Sequence, residues 1–308
     1  MSGIGVILNP NSKKFKRNPS KLDQMSFIIG DKASCKPTHD LDDLYRVADE
    51  FKSRDIDVLA ISGGDGTIHC TLTTFINVYG EKPLPKVTLL RGGTMNIIAS
   101  TFGIKGSTEE LMSSLLMKYH EDKEATEKKL RLMKINGAYG CIFGIGVAFK
   151  FMQEYYSNPK LNAFIAAKTL VQVLSSGAID GKTSQRLCQR FDAEVIVDGK
   201  KLPFANYNAV FAGSIRQLGL DFNAFHHMLH QNENFHTIAM NVSPKELLPH
   251  IKKIYDGEPL PIPELMNEQA KKMTIQCQEP MGYTIDGDML GPVKEFTVEA
   301  GPEITVLV

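Results

Sequence analysis

The sequence predicts an α/β N-terminal domain, a parallel sheet with helices on both faces, joined to a largely antiparallel β-sandwich C-terminal domain. Three observations carry this. Strand, loop and helix alternate through the first part of the chain, the pattern of a parallel sheet covered by helices. A charged stretch, Lys123 to Lys129, then breaks the pattern. Beyond it, short apolar bursts are separated by Gly and Pro turns, as in an antiparallel sandwich. The expected domains are 1–125 and 126–308, with the last strand able to return to the first domain.

Taken in order, Ile4 to Leu8 is an apolar run closed by Asn9-Pro10-Asn11, a strand entering a loop. Asp40 to Arg54 places Leu41, Leu44, Val47, Ala48 and Phe51 at helical spacing, with acids near the start where the helix dipole favours them. Asp57 to Ser62 reads as a buried strand, and a helix carrying Ile68, Leu72, Phe75 and Ile76 follows Gly63-Gly64-Asp65-Gly66. Val87 to Leu90 is another strand, and Gly92-Gly93 opens a turn into a helix beginning near Asn96. Met112, Leu115, Leu116 and Tyr119 form a core-facing helix stripe. Strands of the second domain are expected at Arg131–Ile135, Ala138–Phe143, Ala193–Val197, Ala209–Ala212, Lys272–Cys277, Gly282–Ile285, Phe296–Glu299 and Ile304–Val308. Helices over Pro159–Leu174 and Pro244–Tyr255 interrupt them, and Gly144 and Gly146 read as a strand turn rather than a dinucleotide fingerprint.

Lys plus Arg and Asp plus Glu are both 35 in 308 residues, which removes the basic excess expected of a nucleic-acid binder. Five separated cysteines without a CxxC pair suggest neither a disulfide framework nor a zinc ribbon, so a reducing cytoplasm is the expected compartment. The opening MSGIGVILNPNS lacks a signal-peptide pattern. The most apolar helical stretch, Leu161 to Leu174, falls short of the roughly 20 residues that span a bilayer and contains Lys168. Transient contact with the inner membrane surface stays open, as does a homodimer.

The most informative segment is Ile61 to His69, ISGGDGTIH. Two glycines end a buried strand, an acid follows, and Gly66 precedes Thr67 at a helix start. Glycine lets backbone amides approach a ligand without a β-carbon in the way, and a helix N-terminus adds unpaired donors and partial positive charge, which suits phosphate. Asp65 would then point into the crevice at the carboxyl end of the strand, to hold magnesium or orient a hydroxyl. The alternative is a tight structural turn with Asp65 as helix N-cap. The loop lacks the Lys-Ser/Thr pair of a Walker A motif.

GGDGT at Gly63 to Thr67 resembles the signature of the diacylglycerol kinase catalytic-domain family, shared with sphingosine and ceramide kinases and, more distantly, NAD kinases. ILNPN at Ile7 to Asn11, GGTMNIIA at Gly92 to Ala99 and YTIDGD at Tyr283 to Asp288 resemble further family motifs in the same order. Thr38 stands where the family often has a nucleotide-contacting threonine. The resemblance implies two lobes with ATP in the cleft between them. It implies ATP-binding roles for Asn9, Pro10, Asn11, Thr38, Gly63, Gly64, Gly66, Thr67, Gly93, Thr94 and Asn96. It implies catalytic roles for Asp65, Asp286 and Asp288, with Mg2+ held by Asp65 and Asp288. The activity it implies is phosphoryl transfer to a hydroxyl of a lipid-like acceptor, a step of lipid metabolism such as phospholipid biosynthesis.

Departures from the family pattern fall at Asp288, where glutamate is usual, at Arg91 and Ser100, and throughout Ala212 to His236 on the acceptor side. They leave two alternatives beside a lipid kinase. One is an NAD kinase, whose Asn-Glu motif is missing because Ala163 follows Asn162. The other is a nucleotide-binding regulatory module without transfer activity. His226, His227, His230 and His236 with Glu233 form a second candidate site, in which His226 and His230 would share a helix face and bind a transition metal. Lys13, Lys14, Lys16 and Arg17 form a basic cluster that could touch ATP phosphates or anionic lipid headgroups.

Overall fold

The computed structural model describes residues 3–29, 33–121, 123, 125–158, 188–229 and 233–308. Met1–Leu130 with Glu303–Val308 form one compact unit, and Arg131–Pro302 form the other.

The first unit is built from β1 (Ile4–Leu8), α1 (Lys13–Arg17), α2 (Ser20–Ile29), β2 (Ser34–Pro37), α3 (Leu41–Arg54), β3 (Val58–Ser62), α4 (Asp65–Tyr79), β4 (Lys86–Leu89), α5 (Ile97–Thr101) and α6 (Thr108–His120). Its strands run parallel in the order β2-β1-β3-β4. The chain's last strand joins the edge, Val306 and Leu307 lying beside Val87 and Thr88. Both faces of β1 are buried, which is why it reads as a continuous apolar run. Ile4, Val6 and Leu8 pack with Phe15, Met25, Met112, Leu115 and Leu116 from α1, α2 and α6. On the opposite face Gly5 meets α3 so closely that a β-carbon there would stand 2.6 Å from the Phe51 ring.

Helix ends follow the sequence. Asp40 caps α3 by accepting the Asp43 N–H at 2.8 Å, and α6 opens with a Ser107–Glu110 capping box. Lys14 of α1 and Lys21 of α2 both pair with Glu109 of α6, so Lys14 is engaged inside the unit rather than offered to a ligand. Lys16 and Arg17 are exposed. Among the described residues no helix is long and apolar enough to cross a membrane.

The second unit begins within β5 (Glu127–Ile135) and continues through β6 (Ala138–Gly140), β7 (Ile142–Gly146), α7 (Val147–Tyr156), β8 (Phe191–Val197), β9 (Lys200–Lys201), β10 (Asn206–Tyr207), β11 (Ala209–Gly213), β12 (Phe235–Met240), β13 (Leu265–Ala270), β14 (Lys272–Ile285) and β15 (Asp288–Leu307). Antiparallel pairing runs β13-β12-β11-β7-β14. β14 serves two ladders, pairing Tyr283–Ile285 with β7 and Met273–Cys277 with β8. One core cluster draws Phe143, Ile145 and Phe235 from the first ladder and Val195, Val197 and Ile275 from the second.

The segments expected as separate strands at Lys272–Cys277 and Gly282–Ile285 form one strand, irregular between Gln276 and Met281, where the polar run interrupts the apolar pattern. Phe296–Glu299 and Ile304–Val308 likewise fall on β15, apart from the terminal Val308. The helix expected over Pro244–Tyr255 is broken into Pro244–Leu247 and Ile251–Asp256 by a 3-10 turn, Leu248–His250. Pro249 lies in that turn and lacks the N–H that a continuous helix needs. The expected helix Pro159–Leu174 lies outside the described residues. Helix α7 was not anticipated, because GIGVAF reads as a strand turn until Gly146, with φ 69°, ends β7 and starts a helix.

β14 and β15 meet in a two-residue turn, Asp286-Gly287, with φ of 48° and 91°. Positive φ at both positions is what this tight hairpin needs. The buried Asp286 carboxylate accepts the Cys141 N–H at 3.0 Å and the Ile142 N–H at 2.8 Å, tying the turn to the β6–β7 junction. Replacing Asp286 by Ala strands both amides and puts a residue that tolerates the left-handed region less well than Asp at φ 48°, for an expected loss on the order of 3 kcal/mol. Asp286→Asn keeps one acceptor oxygen and tolerates the turn, so denaturant unfolding should rank wild type, Asn and Ala in that order. Equal stability of all three would remove this structural role.

Candidate functional site

The first unit's sheet has its topological switch point between β1 and β3, since the chain leaves β1 towards β2 on one side and returns to β3 on the other. In open α/β sheets ligands bind outside the carboxyl ends of the strands at such a point. The residues that gather there are those the sequence singled out. Thr38, buried after β2, donates its backbone N–H to Leu8 O at 3.0 Å. After β1, Asn9 donates from Nδ2 to Thr67 Oγ1 at 2.8 Å and accepts the Asn11 N–H at 2.8 Å, so Pro10 sits within a side-chain-closed turn. Asn11 donates to His39 O at 3.2 Å.

After β3 and β4 come the two Gly-Gly loops. Gly92 donates its N–H to Gly63 O at 2.8 Å, and a β-carbon on Gly93 would stand 2.3 Å from Gly64 Cα. The loops therefore touch backbone to backbone, which accounts for Gly93 without any ligand. Gly64 is less constrained: its β-carbon would meet Gly93 Cα at 3.2 Å, and its φ of −93° suits any residue. Gly64 caps α4, whose first return bond runs from Ile68 N–H to Gly64 O at 3.1 Å. The amides of Gly66 and Thr67 consequently have no intrahelical partner, as at every helix start. Thr94 is half-buried on the second loop, which closes on itself through Asn96. Asn96 Oδ1 accepts the Gly93 N–H at 3.0 Å, and Nδ2 donates to Gly93 O at 3.1 Å.

Asp65 is not the N-cap of its own helix; it is the first residue of α4, and its carboxylate caps the next helix. Oδ2 accepts the Ile97 N–H and Oδ1 the Ile98 N–H, both at 3.0 Å. Burial pushes this carboxyl above the ordinary range, although the Ile98 and Ile97 amides pull it down. Sequence reading missed this link, because Asn96 stands where a capping residue would, yet its φ of 49° and its side-chain bonds to Gly93 leave the first amides of α5 to Asp65. Arg91 and Ser100 are both half-buried near the same loop, and Arg91 O accepts the Thr108 hydroxyl at 3.1 Å.

Of the acids expected in the second unit, Asp286 is committed to the hairpin amides described above, and Asp288 begins β15 opposite Ile285, half-buried. The histidines come together differently from expectation. His226 and His227 stand in a 3-10 turn, 226–229, and meet His236 of β12, while His230 lies outside the described residues. Burial holds the His236 imidazole down at about 4 and lowers His226 as well. Glu233 instead pairs with Lys271 at 3.2 Å. Asn162, where the NAD kinase alternative was weighed, is also outside the described residues.

The profile of the diacylglycerol kinase catalytic domain matches residues 3–126. A comparison with curated proteins finds no match. Among solved structures, a candidate diacylglycerol kinase from Bacillus anthracis str. Sterne superposes with a TM-score of 0.71 at 16% identity, covering 99% of this chain and 97% of that one. A structure described as a diacylglycerol kinase from the same organism gives a TM-score of 0.65 at 17% identity, covering 99% and 96%. Residues 3–126 thus carry the diacylglycerol kinase catalytic-domain pattern, and the whole chain has the fold of these solved structures.

Proposed function

We propose that this chain transfers a phosphoryl group from ATP, with magnesium, to a hydroxyl of a lipid-like acceptor of the diacylglycerol, sphingoid or ceramide type. The observation that carries this reading is the pair of Gly-Gly loops at the switch point, with the first-turn amides of α4 among them. Those donors suit phosphate oxygens, and Gly64 leaves the approach free of a side chain. Magnesium takes hard oxygen donors, and a carboxylate that accepts two amides, as Asp65 does, has lone pairs left. On this reading Asp65 holds the metal and Asp288 supplies a carboxylate to the reaction. ATP supplies the transferred group and magnesium offsets its charge, so the protein's part is positioning and charge stabilisation. Asn9, Thr67 and Asn96 fix the loops, and Asp65 locks one to the other. Exposed Lys16 and Arg17 would favour an anionic membrane surface, where such an acceptor is presented.

One observation favours a second reading, a nucleotide-binding module without transfer activity. Asp65 and Asp286, two of the three acids expected to be catalytic, are both occupied by backbone amides. Labelled ATP and magnesium, offered with diacylglycerol, sphingoid, ceramide and NAD acceptors, separate the readings. Product from a lipid acceptor supports the first; ATP binding without any product supports the second.

Two variants test the site itself. Asp65→Asn turns an amide nitrogen towards one of two N–H donors, so stability should drop by about 1–3 kcal/mol. Turnover in the folded variant should fall at least about a hundredfold. Near-normal turnover would leave Asp65 a loop fastener only. In a second pair, Gly93→Ala should lower the unfolding midpoint far more than Gly64→Ala, because its β-carbon would overlap Gly64 Cα. Gly64→Ala should instead weaken ATP binding in calorimetric titration. Unchanged ATP affinity in folded Gly64→Ala would mean that the loop is a structural turn.

A further inference from the structure

We propose that the second unit holds a transition-metal ion of the zinc class on His226, His227 and His236. One ligating atom from each lies within 4.8 Å of the other two. The ring centroids are 4.3 Å apart for His226–His227, 4.9 Å for His226–His236 and 4.8 Å for His227–His236. Zinc–nitrogen bonds of about 2.0–2.1 Å in tetrahedral geometry put ligand nitrogens about 3.3 Å apart. Closing from the observed limit takes less than about 1 Å of inward movement by each ring, within the reach of side-chain rotation in a short turn.

The support behind the third ring is also of the kind that metal sites use. His236 is fully buried, and its Nε2 meets Asn267 Oδ1 of β13. A carbonyl oxygen only accepts, so Nε2 carries the hydrogen and Nδ1 carries the lone pair. Fixing one ring nitrogen so that the other can ligate is the usual task of a residue in Asn267's place. Nδ1 accepts a long contact, 3.4 Å, from the His227 N–H, and the Phe225 backbone also hydrogen-bonds the ring; a metal bond would replace these weaker contacts. Phe225 closes one side edge-on to the His236 ring, at 5.7 Å between centroids.

The donor set selects the ion. Three imidazole nitrogens suit zinc, copper, nickel or cobalt and not magnesium or calcium, which take oxygen. No carboxylate belongs to this cluster, and the Arg216 guanidinium acts on His226 as a nearby positive charge. Affinity should therefore fall below that of a closed cysteine site. Three protein ligands leave a fourth position for water. The ion would clamp the 226–229 turn to β12, in the stretch where this chain departs most from the kinase pattern.

The test uses the full chain, stripped with chelator, without ATP, so its result is independent of phosphoryl transfer. Zinc titration by calorimetry should give one equivalent per chain, and cobalt should give the intense visible bands of a four-coordinate ion. His226→Gln and His227→Gln, both at half-buried positions, should each weaken zinc binding at least about a hundredfold, and Asn267→Ala at least about tenfold. Absence of stoichiometric zinc binding, or a cobalt spectrum lacking four-coordinate bands, would overturn the proposal. So would zinc binding that persists unchanged in both histidine variants, since it would then belong to the cysteines.

Discussion

The first unit depends on a backbone-to-backbone contact that admits no side chain at Gly93. Two loops, one after β3 and one after β4, meet through Gly63, Gly64, Gly92 and Gly93 with an N–H···O bond of 2.8 Å between Gly92 and Gly63. Once those backbones touch, the starts of α4 and α5 are brought side by side, and the Asp65 carboxylate can reach the amides of Ile97 and Ile98. A buried carboxylate is costly alone, but one that accepts two N–H groups relieves two helix-start donors that would otherwise be stranded. Glycine spacing and acid placement are thus two halves of one device, which aligns two helix N-termini beside the switch point.

Much of this was legible in the sequence, for reasons specific to each element. β1 and β3 are buried on both faces, so their continuous apolar runs give the strands almost to the residue. α3 shows its apolar stripe, its Asp40 cap and its terminal basic residues in sequence order. By contrast α1, α2 and β2 lie in a stretch whose polar composition carries no clear period, and their positions are set by packing of Phe15, Met25 and Ile29 onto the sheet. β12 escaped notice because a fully buried strand containing His236 and Thr237 shows neither alternation nor an unbroken apolar run.

At the site, composition named the loops but not their wiring. The glycines, Asn9, Thr67 and Asn96 come together where the strand order requires. That Asp65 faces α5 rather than its own helix depends on the close approach of two loops about thirty residues apart, a separation that no local pattern encodes. The three histidines illustrate the same limit. Their meeting depends on the register of β12 with its neighbours and on a tight turn, not on the helical spacing that the sequence suggests.

The Asp-Gly turn at 286–287 shows how a motif and a fold element can coincide. The same arrangement occurs a second time in the second unit, at Asp198-Gly199, with φ of 46° and 80°. There too the Asp carboxylate accepts amides from an adjacent segment, Lys271 at 3.0 Å and Lys272 at 2.9 Å. Asp198 lies in no motif that the family resemblance identifies, and its hydrogen bonds explain it fully as the fastener of a hairpin. An Asp-Gly pair with a carboxylate on neighbouring amides is therefore something this sheet uses for its own cohesion. Asp286 fits that description as well as Asp198 does, and its geometry is accounted for before any reaction is considered. What distinguishes the later turn is the residue after it. Asp288 opens β15 where Lys200 opens β9, and a carboxylate at that position has no counterpart in the first turn. Asp286 and Gly287 supply the turn that presents Asp288 at the start of β15.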